Sequence, residues 1–203
     1  MAEKVIVTKG KITAIADAIR KKNGTSGKLT LDGMAAALSG SENVYSADTV
    51  AKIIDRTIES LTLPEGLTKI GDSAFTTCEN LILTKLPDSI TAIEQYAFYG
   101  CAGVALTVLP ASLQRVADGA FDGCAGNKFS VIPASVTAIG GETFNENTGL
   151  TSLKFKGTPS FIAANAFSGC INVTNVYVPW VQGAVKNAPW GMTKATIHYS
   201  STV

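Results

Sequence analysis

The chain has 203 residues, 46% of them hydrophobic and 16% charged, with a formal net charge of +1. That balance provides no field for nucleic acid or an acidic membrane surface. No apolar run approaches the ~20 residues of a membrane span, and residues 1–7 lack a basic region leading into an apolar one, so neither a span nor a secretory signal is predicted.

Residues 1–40 lie outside the periodic part of the chain. Ile12, Ile15, Ala16 and Ile19 fall at i, i+3, i+4 and i+7, which predicts an amphipathic helix over 11–22. Asn23-Gly24 ends it with residues that tolerate a left-handed turn. The strongest basic pair, Lys21-Lys22, sits at that helix end and suits the helix dipole better than a partner. A second helix starts with Thr30 as N-cap and carries Leu31, Met34, Ala35 and Leu38 to Gly40. Two short helices bury too little to stand alone, so they need each other, the rest of the chain or a partner, and a homo-oligomer through them is one expectation. Residues 41–57 read as a linker and N-terminal cap, in which 51–55 fit a helical turn or the lead-in to a strand equally well.

From Ile58 a period of 23 residues takes over and runs to Pro179. Phe75, Phe98, Phe121, Phe144 and Phe167 keep the step, as do Ile70, Ile93, Val116, Ile139 and Ile162. Cys78, Cys101 and Cys124 skip one unit at Asn147 and return as Cys170; Pro64, Pro87, Pro110 and Pro133 skip at Lys156 and return as Pro179. A fixed period of this size predicts a solenoid of about five coils, in which neighbours must stack because no unit can bury its apolar face alone. Each unit reads as a short strand ending at the proline (84–86), a second extended piece (67–70) and a tight turn through Ala74-Phe75. The phenylalanines should then form an aromatic spine. Equivalent cysteines would lie roughly 4.8 Å apart with parallel Cβ vectors, which is poor disulfide geometry. They also lack the close pairs that zinc requires, so they are expected as small buried apolar side chains. No metal or cofactor is predicted.

Residues 180–203 read as a C-terminal cap in which Trp180 and Trp190 pack over the open end, followed by an alternating, strand-like Ala195-Thr196-Ile197-His198-Tyr199.

The pattern L-P-x-x-[LIV]-T-x-I-x-x-x-A-F-x-x-C, clearest from Leu86-Pro87 to Cys101, closely resembles the BspA-type (Treponema-like) leucine-rich repeat family over residues 58–179. The resemblance implies a right-handed parallel-strand solenoid and a binding or adhesion role without catalysis; with the helices read above, the expected fold is mainly β with short helices and a small helical N-terminal segment. Residues 11–40, and the ending Asn187-Ala188-Pro189-Trp190-Gly191-Met192-Thr193-Lys194-Ala195-Thr196-Ile197, look like the corresponding segments of tail-associated proteins from phages and prophages of Gram-positive bacteria. That second likeness implies a virion protein released by lysis. Its partners would be a protein or surface glycan of a host cell or another virion subunit, and not nucleic acid or membrane. A bacterial cell-surface adhesin of the same repeat family is the alternative.

The sequence departs from the family where a large aliphatic is usual three residues before the proline. Thr84, Thr107 and Ser130 stand there, preceded by Leu83, Leu106 and Phe129. Simple alternation would set Leu83, Leu106 and Phe129 on the outer strand face beside Val108 and Val131, as an exposed apolar patch for a partner. A β-bulge in each coil would instead turn them inward. Both readings stand at this point.

No catalytic residue is predicted. His198 is the single histidine, without an acidic or nucleophilic neighbour in sequence, and no G-x-S-x-G, P-loop or H-E-x-x-H occurs. The carboxylates Glu65, Asp72, Asp88, Glu94, Asp118 and Asp122 sit at turn positions and vary from coil to coil, as solvated loops do. A paired-carboxylate site assembled from distant coils remains open.

Overall fold

The computed structural model describes residues 47–63 and 65–201; the helices expected within residues 1–40 lie outside them. The described chain opens with one helix, α1 (Ala47–Ile54). Residues 51–54 are therefore helical, and Ile53 and Ile54 are buried against the first coil. Nine short strands complete the described residues: β1 (Lys69–Ile70), β2 (Ala92–Ile93), β3 (Arg115–Val116), β4 (Val131–Ile132), β5 (Ala138–Ile139), β6 (Ser152–Phe155), β7 (Phe161–Ile162), β8 (Asn175–Tyr177) and β9 (Thr196–His198).

They form two parallel sheets, ordered β1-β2-β3-β5-β7 and β4-β6-β8-β9. In the first sheet Ile70, Ile93, Val116, Ile139 and Ile162 lie in register, each pairing with its equivalent in the next coil. The molecule is a β-solenoid of about six turns of roughly 23 residues. The C-terminal segment extends this column. There, β9 pairs with β8 (Val176↔Ile197) and continues the second sheet, while Trp190 is fully buried and packs 5.7 Å from Phe155 and 6.4 Å from Trp180.

The phenylalanine spine forms as the period implies. Successive rings from Phe75 to Phe167 stack at centroid distances of 5.2, 5.2, 5.6 and 5.1 Å. The spacing reflects the coil-to-coil rise, which is close to the separation of paired strands. Before each ring stands Ala74, Ala97, Ala120, Thr143 or Ala166, and all five are buried. The tight turn leaves no room there for a larger side chain.

The cysteine column is buried and its thiols are free, but its chemistry is not purely apolar. Cys101 Sγ donates to Phe75 O at 2.8 Å, Cys124 Sγ to Phe98 O at 3.1 Å and Cys170 Sγ to Phe144 O at 3.1 Å. Where the column reads Asn147, the amide takes the same role, with Nδ2 donating to Phe121 O at 2.7 Å. The turn carbonyl at each ring already accepts the amide three residues on; the next coil adds a second donor to its other lone pair, and a thiol or an amide can supply it. Burial pushes the Cys78 thiol up to about 11 and those of Cys124 and Cys170 up to about 12, and it raises Cys101 as well. These folded pKa values lie above the ordinary 9.0, so the thiols' contribution to stability is complete below about pH 9 and is lost as pH rises toward 12. The denaturant midpoint should fall as pH is raised from 8 to 11. A colorimetric thiol titration should find the four cysteines unreactive at pH 8 until denaturant is added. Rapid modification of the folded chain would contradict this account.

Leu83, Leu106 and Phe129 point inward, with 6%, 0% and 1% of their surface exposed. The apolar outer patch suggested by simple alternation therefore does not form. Val108 is exposed and Val131 half-buried, but they stand without those three beside them. The physical reason is a change of step. In three coils the inward residues are spaced two then three apart: Leu81, Leu83, Leu86; Val104, Leu106, Leu109; Asn127, Phe129, Ile132. In the next two the order reverses to three then two: Leu150, Leu153, Phe155; Val173, Val176, Val178. The longer strands β6 and β8 lie in these two coils. Earlier, residues 81–86 make only the isolated bridges Ser60↔Ile82 and Leu83↔Val104. Phe129 reaches the spine and packs edge-to-face on Phe144 at 5.3 Å.

The switch of step is accompanied by a buried amide pair. Asn127 Nδ2 donates to Asn147 Oδ1 at 2.8 Å, and Leu106 N donates to Asn127 Oδ1 at 2.9 Å. Both side chains are fully buried.

Candidate binding surface

The first sheet presents one outward position per coil, immediately before each buried isoleucine or valine. Along the solenoid these positions hold Lys69, Ala92, Arg115, Ala138 and Phe161, alternating long with short. Two residues on, the positions are Gly71, Glu94, Ala117, Gly140 and Ala163, mostly too small to fill the space above the sheet. The result is an open groove of about 530 Å³. Lys69, Arg115 and Phe161 rise from one side, and Asp72, Gln95 and Asp118 from the turns on the other.

Glu94 holds the two cations in place. Its carboxylate accepts from Lys69 Nζ at 2.7 Å on one oxygen and from Arg115 Nη2 on the other, with the Glu94 side chain only 14% exposed. Burial alone would raise the Glu94 carboxyl, but the hydrogen bonds from Lys69 and Arg115 outweigh it and hold its pKa below the ordinary value. Glu94 is thus a paired group that fixes two long side chains, in contrast to the solvated loop carboxylate expected from sequence. Asp118 Oδ1 accepts from the Gly141 amide at 2.8 Å, and the register of the turns is pinned there.

Of the residues singled out in sequence as an outer patch, Leu83, Leu106 and Phe129 belong to the core, and Val108 and Val131 line no part of this groove. The groove residues are invisible within any single coil. The alternation of Lys69, Ala92, Arg115, Ala138 and Phe161 at the 23-residue step is the available signal. His198 has a structural setting: its ring stacks on Tyr177 at 4.6 Å and its Nε2 meets Asn175 Oδ1 at 2.8 Å, joining β9 to β8. Among the described residues no three His, Cys, Asp or Glu side chains converge as a metal set, and no helix is long and apolar enough to cross a membrane.

A column of stacked parallel turns with a spine, a donor ladder and an outward groove defines a repeat-built solenoid protein. Residues 54–179 match the family model described as "BspA type Leucine rich repeat region" in six copies, and the chain belongs to that family. Among solved structures it is similar to a leucine-rich repeat protein from Bacteroides ovatus ATCC 8483. The two share 32% identity and a TM-score of 0.51, over 62% of this chain and 32% of that one. It is also similar to the leucine-rich repeat protein of T. pallidum, with 27% identity and a TM-score of 0.52, over 60% of this chain and 59% of that one. The match thus spans about a third of the first and three-fifths of the second. No curated protein matches the chain.

Proposed function

We propose that this chain is a non-enzymatic attachment or assembly protein in which the solenoid carries the groove of the first sheet to a partner, in the setting of a phage or prophage tail. The observation that carries the binding half of the proposal is the groove itself. Two of its long side chains are fixed by a shared carboxylate, its floor is left open by alanine and glycine, and donors, acceptors and one aromatic ring converge on it. Repeat solenoids suit this use because their extended faces are built from rigid backbone.

The tail setting rests on residues 11–40 and 187–197, which flank the repeat and look like segments of tail-associated proteins. On this reading the partner is another virion subunit, or a protein or glycan of the host surface. Residues 11–40 dock the chain or join its copies, and the protein reaches the exterior by lysis. A bacterial cell-surface adhesin is the second reading, favoured by membership of the repeat family alone.

Mass spectrometry of particles released from an induced lysogen expressing the gene tests the proposal. The full chain should be found in the particles, and a version beginning at Ser41 should be missing from them. Recovery of the full chain in the cell-surface fraction, with none in particles, would favour the adhesin.

A further inference from the structure

We propose that the notch above Ala138, between Arg115 and Phe161, holds one neutral hexopyranose ring of a glycan; the proposal rests on reading the solenoid as an attachment surface. The alternating column creates two notches, one over Ala92 and one over Ala138. The first lies between Lys69 and Arg115, and Glu94 already ties its walls together. The second has no such tie. Its walls belong to strands that each pair with β5, Arg115↔Ala138 and Ala138↔Phe161. They are therefore separated by two strand spacings, about 10 Å.

The floor of the second notch is kept low by backbone geometry. A Cβ at Gly140 would fall 2.6 Å from the Asp118 amide nitrogen, so the position accepts no side chain without a shift of the coil. Phe161 is 52% exposed, an unusual position for a ring that could have been buried. The Arg115 side chain is 49% exposed and is held by Glu94 through one terminal nitrogen, which leaves donors of its fork free. Asp118 has one oxygen engaged by Gly141, and the other remains as an acceptor at the rim.

These groups match a pyranose better than other small ligands. A sugar ring has an apolar face of C–H bonds that can lie on Phe161, and equatorial hydroxyls that both donate and accept. Arg115 supplies the complementary donors and Asp118 the complementary acceptor. A flat heteroaromatic ring stacks on Phe161 equally well but offers few groups that both donate and accept around its edge, so it engages Arg115 and Asp118 together less completely. The groove lining has two cations, Lys69 and Arg115, and three carboxylates, Asp72, Glu94 and Asp118. At the second notch a strongly charged ligand would meet the Arg115 cation and the Asp118 carboxylate together, attracted by one and repelled by the other, which favours a neutral one.

Calorimetric titration of the full chain with maltotriose, cellotriose, N-acetylchitotriose and galactotriose tests the inference. At least one should bind. Phe161→Ala and Ala138→Leu should each weaken that binding tenfold or more, with melting temperatures unchanged. Ala138→Leu fills the notch while leaving Arg115 and Phe161 in place, so it separates occupancy of the notch from loss of a wall. Failure of all four sugars to bind, or equal affinity in Ala138→Leu, overturns the inference. A parallel measurement on Gram-positive cell envelopes distinguishes this from failure of the attachment reading. Retention that survives periodate oxidation of the sugars but is lost after protease treatment would keep attachment and assign the groove to a polypeptide.

Discussion

Phe121→Ala is expected to lower the stability of the folded chain by about 3–5 kcal/mol, as removal of a fully buried ring from a well-packed core does. Phe121 stands mid-spine, with Phe98 stacked 5.2 Å away on one side and Phe144 5.6 Å away on the other. Removing it takes away both ring contacts and leaves a void between two coils whose backbones are fixed by parallel pairing on either side, so the cavity cannot collapse. In a solenoid, stability is approximately a sum of unit terms and neighbour terms, and the substitution weakens two neighbour terms at once. Phe75→Ala removes a ring with one spine neighbour, Phe98, and should cost less. Urea unfolding monitored by circular dichroism checks both, and Phe121→Ala should also broaden the transition as the two halves lose cooperativity. An equal loss from both substitutions would refute coupling along the spine.

Asn127→Leu should cost about 2–3 kcal/mol, although leucine is what the equivalent positions Leu81 and Leu150 carry. The substitution strands the Leu106 amide and the Asn147 side-chain oxygen in a dry interior. Asn147→Cys restores the residue type of the column and keeps a donor for Phe121 O, but it leaves Asn127 Nδ2 without its acceptor. Combining the two removes both halves of the amide pair together, so the double variant should be more stable than the sum of the single losses predicts, with a coupling of about 1–2 kcal/mol. Chemical denaturation of the four proteins of this cycle measures it. Strict additivity would mean that the pair does not act as a unit.

The elements legible in the sequence are those that every coil repeats. Ile70, Phe75, Cys78 and their equivalents face inward in each turn because each coil presents the same backbone to the next, and one period suffices to place them. Trp190 is legible in the same way, at one further step from Phe167, yet it reads as part of a cap because tryptophan breaks the phenylalanine pattern. The inward turn of Leu83, Leu106 and Phe129 could not be decided, since alternation is a property of regular strand and these units carry their extra residue inside the would-be strand. Asn127 and Asn147 each look like a lapse in a column; they explain one another only once the coils are stacked. The groove is hidden for a related reason. The partners of Glu94 lie one coil before and one coil after it, at Lys69 and Arg115, so no local window contains the site.

The reversal of step between residues 127 and 153 also bears on how such a chain can grow or shrink. Unequal crossing-over between misaligned coils inserts or deletes whole units of 23 residues. A unit copied within 81–132, or within 150–178, lands beside neighbours with its own spacing, and each inward residue finds an inward residue above and below. A unit carried from one block into the other would bring a leucine, valine or phenylalanine to the surface and draw a threonine, serine or asparagine into the column. Lengthening by duplication is therefore confined to two separate stretches, and the seam between them is where the buried asparagines meet.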